Sequence, residues 1–149
     1  MPPLRTYSDE KAIYSVDMML AYLNTHKHEI VSVPMSDLEW QLEQNVWGDW
    51  SPKDVLEHMT AKKYAENAER IREADLSYPI ILTSKGVLVD GYHRVAKAFK
   101  EGKSSIKAHV FDGNLMKKFI LDKDRNFVRV HQQLQVYEIL EVYSKRFCQ

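Results

Sequence analysis

Ile13, Val16, Met19, Leu20 and Leu23 recur at helical spacing behind Ser8-Asp9-Glu10-Lys11, a pattern that predicts a first helix over about Asp9 to Thr25. His26 and His28 fall at its end, where histidines favour the negative pole of the helix dipole, with a weak metal pair as the alternative. A strand follows over roughly Glu29 to Val33, then a short helix capped by Ser36 or Asp37 that carries Leu38 and Leu42. Ser51-Pro52 is a helix start, with serine as N-cap and proline at the first helical position. A longer, mostly polar helix is expected from about Thr60 to Ala74, with Tyr64, Ala68 and Ile71 as its apolar stripe. It ends before Pro79, because the residue preceding a proline prefers extended backbone.

From Pro79 the period changes. Pro79 to Thr83 and Val87 to Val89 are two apolar runs joined by Ser84-Lys85-Gly86, which reads as a β-hairpin with glycine at the position that most often needs positive φ. A helix over about Tyr92 to Glu101 stops at Gly102, a suitable C′ residue, and a strand runs from Ile106 to Phe111. Asp112-Gly113-Asn114 then opens a helix with Leu115, Met116, Phe119 and Ile120, and Arg129 to Phe147 forms a last one. The expected fold is a single α+β domain over residues 1–149. It has a small mixed sheet of about four strands, a core at about 29–111, an N-terminal helix and C-terminal helices.

Composition narrows the partners. Twenty-one Lys and Arg balance 21 Asp and Glu, so the chain lacks the positive excess that accompanies strong sequence-independent binding to nucleic acid. Lys97, Lys100, Lys103, Lys107 and Lys117-Lys118 are candidates for a local basic patch, although such residues more often form solvated faces. The single cysteine, Cys148, makes no intrachain disulfide, and the six histidines show no paired zinc-ligand spacing. With no apolar leader and no run of membrane-spanning length, a soluble cytoplasmic protein is expected. Trp40, Trp47 and Trp50 are read as core residues sealing the sheet, with base stacking as the alternative.

The chemistry concentrates where the second hairpin strand meets its helix, at Asp90-Gly91-Tyr92-His93-Arg94. The first amides of a helix lack intrahelical partners and the dipole adds partial positive charge there, so a phosphate fits the turn. Gly91 leaves room for close approach of a ligand, Arg94 offers a planar fork for two phosphate oxygens, and His93 can donate a hydrogen bond or move a proton. Asp90 can hold a metal ion, orient Arg94 or cap the helix. The same residues also make ordinary turn chemistry.

This segment resembles the signature of the ParB/sulfiredoxin superfamily, with Ile30 to Leu38 similar to that family's opening strand and first helix and Lys103 to Phe111 similar to the strand after the motif helix. The resemblance covers Ile30 to Phe111, and only Asp-Gly-x-His-Arg is specific. It implies a nucleotide-phosphate site in a fold whose members hydrolyse CTP, use ATP to repair oxidised cysteine, phosphorylate free serine or cut DNA. Tyr92 stands where sulfiredoxins carry a reactive cysteine, which disfavours that chemistry. The residues after Phe111 are too few for the DNA reader and dimerisation segment of partition proteins. The spelling is closest to the free serine kinase branch, in which an acidic residue after the first strand assists the acceptor hydroxyl; Glu39 and Glu43 are the candidates here.

The leading expectation is therefore an ATP-, ADP- or CTP-binding protein. Gly91, Tyr92, His93 and Arg94 hold the phosphates, and Mg²⁺ sits near Asp90. Lys53 is a possible further anion contact, and a phosphoryl group passes to water or a small hydroxyl acceptor. In that scheme Asp90, His93 and Glu39 or Glu43 are the catalytic groups. The alternatives are a DNA-binding protein or nuclease using the same turn, and a non-catalytic ligand-binding or interaction module. On this reading Arg94→Ala removes nucleotide binding and hardly changes the melting temperature.

Overall fold

The computed structural model describes residues 5–122; the expected helix from Arg129 to Phe147 and Cys148 lie outside them. Among the described residues the fold is α+β, and it divides into two compact units, residues 29–111 and the segments on either side. No helix in the described part is long and apolar enough to cross a membrane.

In the flanking unit, β1 (Thr6–Ser8), β2 (Ile13–Ser15) and β7 (Ile120–Asp122) form an antiparallel sheet in the order β1-β2-β7. The helix expected from Asp9 thus starts later: α1 spans Val16–Thr25, and its N-cap is Ser15, whose hydroxyl accepts from the Met18 amide at 3.1 Å. Asp9 still accepts two backbone N–H groups, from Lys11 and Ala12, but its own N–H donates to the Ala12 carbonyl and closes a hairpin. A capping residue and a turn residue use the same short carboxylate, so the pattern at Asp9 was ambiguous; pairing of Tyr7 with Tyr14 across the strands decided it. Asp112 caps α5 (Gly113–Lys117) as expected, whereas Ile120 lies in β7.

The 29–111 unit holds β3 (Val31–Pro34), α2 (Pro52–Glu57), α3 (Ala65–Glu73), β4 (Ile80–Thr83), β5 (Leu88–Asp90), α4 (Tyr92–Lys100) and β6 (Ser105–Phe111). Its four-stranded sheet is mixed, ordered β3-β6-β4-β5, with β4 and β6 parallel and both edges antiparallel. The hairpin turns at Gly86 with φ +79°. The α2 start is a full capping box, Ser51 and Asp54 each accepting from the other's backbone N–H. Tyr64, Ala68 and Ile71 are buried as their spacing required, although residues 62–64 form a 3-10 turn ahead of α3. Trp40 departs from expectation: it is 50 % exposed, its indole N–H resting on the Asp37 carbonyl.

Two 3-10 turns, Met35–Asp37 and Glu39–Glu43, bury Leu38 and Leu42 and also Gln41, which has no exposed surface. Gln41 fastens this turn to the hairpin: its Nε2 donates to the Gly86 carbonyl and its Oε1 accepts from the Leu88 amide, both at 2.7 Å. Replacing it by leucine leaves a carbonyl and a buried amide without partners, so Gln41→Leu is expected to cost about 2–4 kcal/mol in urea unfolding. A loss below about 0.5 kcal/mol would show that water replaces both bonds.

Candidate functional site

β5 ends at Asp90 and α4 begins immediately after Gly91, whose φ of +117° is left-handed backbone that only glycine adopts without strain. The expectation that Gly91 keeps space for a ligand is corrected by the packing. A Cβ at this position would lie 2.5 Å from Ile80 Cγ2 and 3.2 Å from Arg94 Nη2, so the space belongs to β4. Gly91 is required for the turn to lie against the strand.

Asp90 does not cap α4, and the helix has no side-chain cap. Its carboxylate instead accepts from Arg94 Nη2 at 2.9 Å, an ion pair whose side chains are 20 % and 17 % exposed respectively. Arg94 Nη1 donates to the carbonyls of Tyr78 at 3.0 Å and Pro79 at 2.7 Å. Three of the guanidinium's five N–H groups are thereby directed inward, and the open two-oxygen fork expected for a phosphate is not what this geometry offers. Arg94 ties the loop before β4 to the first turn of α4.

His93 lies on the next face. Its Nε2 is 3.0 Å from Asn67 Oδ1 on α3, and its ring stacks on Trp47 with centroids 4.5 Å apart at 16°. With Asn67 Oδ1 as acceptor the ring proton is on Nε2, leaving the Nδ1 lone pair. Burial, reinforced by Arg70 and Arg94 against the opposing pull of Asp90, holds the imidazole pKa down to about 4. A depressed folded-state histidine contributes stability above the unfolded value of 6.5 and loses it as pH falls toward 4. Between pH 7 and pH 4.5 the chain is therefore expected to lose stability more steeply than His93→Gln, by about 1 kcal/mol once the partial exposure of the ring is allowed for, in paired urea titrations. Parallel slopes would place the imidazole in water.

The remaining candidates are not at this turn. Glu39, Glu43 and Lys53 line a cavity of about 440 Å³ together with Phe99 and Lys100, the last residues of α4. At a rise of 1.5 Å per residue this is about 10 Å along the helix from Tyr92. Neither glutamate is placed to orient an acceptor beside a phosphate at Gly91 to Arg94. Lys53 Nζ pairs with Glu43 Oε1 at 3.2 Å, which accounts for its charge locally. Lys97, proposed for a basic patch, donates instead to the Arg72 and Ala74 carbonyls at the end of α3.

Among the described residues no three His, Cys, Asp or Glu side chains group to hold a metal ion. Asp90, already paired with Arg94, does not form a protein-held Mg²⁺ site by itself. Sequence reasoning missed Asn67, Gln41, Ile80 and the Tyr78 and Pro79 carbonyls, because none carries a local signal. In comparisons with protein families, with curated proteins and with solved structures, nothing matches this chain, so the likeness to the ParB/sulfiredoxin superfamily rests on the residues quoted above.

Proposed function

We propose that the 29–111 unit binds a phosphate-bearing ligand of the nucleotide class at the first turn of α4. The observation that carries this is the diversion of Asp90. The acid preceding the helix is drawn aside to Arg94, so the positive end of α4 has neither a side-chain cap nor a carboxylate placed over it. The two remaining N–H groups of Arg94 support the same ligand chemistry, and the resemblance to nucleotide-binding ParB-like domains supplies its class. Phosphoryl transfer has fewer parts in position, since Glu39 and Glu43 lie at the far end of the helix. The reading is therefore of binding, with Arg94 fixing the shape of the turn.

Isothermal titration of the full chain with ATP, ADP, CTP and GTP in Mg²⁺ buffer tests this, together with backbone amide NMR. The expected result is saturable binding of at least one nucleotide, with shifts concentrated at the amides of residues 91–94 and reversed by inorganic triphosphate. Mapping is preferable to mutation here because Gly91 and Arg94 hold the fold. Absence of binding by all four, or shifts confined to other segments, overturns the proposal. Plasmid nicking without nucleotide binding would move the assignment to the nuclease alternative.

A further inference from the structure

The cavity at the other end of α4 has a composition that the phosphate turn does not explain. Its apolar wall consists of Leu42, Leu56 and Phe99. Phe99 continues the stripe Tyr92, Val95, Ala96 at helical spacing, yet it runs past the core and stays 45 % exposed. A volume of about 440 Å³ is within the range of small-molecule sites. Around this wall Lys53 and Glu43 satisfy each other, whereas the side chains of Glu39, Glu57 and Lys100 make no hydrogen bond or ion pair among the described residues.

We propose that this cavity binds a small zwitterion whose ammonium and anionic groups lie at opposite ends of an apolar or aromatic frame. Unpaired charges of both signs on three separate elements, the 39–43 turn, α2 and α4, set this complement. A purely cationic ligand faces Lys100 without compensation, and a purely anionic one faces two carboxylates. The hydrocarbon frame covers Phe99 and the two leucines, which removes apolar surface from water. This site is independent of the phosphate turn, so either can fail alone.

Three probes on one ring test the inference: 4-(aminomethyl)benzoate, benzylamine and benzoate, each titrated into the isotopically labelled full chain. The zwitterion is expected to shift the Leu42 and Leu56 methyl and Phe99 ring signals saturably and to bind about fivefold more tightly than either single-charge probe, the scale of one exposed ion pair. Lys100→Met should lower affinity for the zwitterion by a similar factor and leave benzylamine no weaker. The double variant Glu39→Gln, Glu57→Gln should weaken the zwitterion and leave benzoate no weaker. These side chains are on the surface, so the variants are expected to fold. No saturable shifts, equal affinity for the three probes, or shifts confined to residues 91–94 would overturn the proposal.

Discussion

Gly91→Ala is expected to destabilise the protein by about 3–5 kcal/mol, a large part of the total stability of a domain this size. Two independent causes add. The backbone at φ +117° is strained for any residue with a Cβ, and that Cβ meets Ile80 Cγ2 at 2.5 Å on a strand with no exposed surface at this position. Ile80 is held on both sides, paired with Ala108 of β6 and covered by the turn, so it has nowhere to retreat. A double-mutant cycle separates the causes: in an Ile80→Ala background the alanine at 91 should cost about 1–3 kcal/mol, the backbone part alone. Equal cost in both backgrounds, read by urea unfolding, would rule out the contact with β4.

Arg94→Ala should lower stability by about 2–4 kcal/mol, the reverse of what a ligand-facing arginine predicts. The substitution removes three donors at once and leaves a largely buried Asp90 carboxylate beside the Tyr78 and Pro79 carbonyls. Because the pair retains some exposure, the loss is placed below that of a fully buried ion pair. Arg94→Lys keeps the charge but cannot reach three acceptors in different directions, and it should recover less than half of the loss. If Arg94→Ala unfolds at the same urea concentration as the parent, the guanidinium is free in solution and available as a direct phosphate ligand. Nucleotide affinity measured on the same samples then separates a turn-shaping arginine from a gripping one.

That His93 stands in the first turn of α4 follows from the apolar strand, the glycine and the helical spacing of Val95 and Ala96. That it is a poor base follows only from Trp47 and Asn67, 46 and 26 positions away along the chain, which dry and hold it. The acid next to the motif was equally open in the sequence, since Asp90 could cap, ligate or pair. Selection of Arg94 required the Tyr78 and Pro79 carbonyls to hold the guanidinium within its reach.

By itself the sequence determined the features whose causes are local. These are the helix start at Ser51-Pro52, the buried stripe of Tyr64, Ala68 and Ile71, the Gly86 hairpin, and the strand–glycine–helix order ending at Gly102. Periodicity and capping act over one or two turns of chain, so they can be read without knowing what lies opposite. The tertiary structure decided the rest: Asp9 closing a hairpin, Gly91 packed under Ile80, Gln41 bonded to residues 45 and 47 positions away, and Glu39 and Glu43 at the wrong end of α4 for the phosphate turn. A polar side chain's role depends on which distant group it meets once desolvated, and only the crossing of elements far apart in the chain supplies that group.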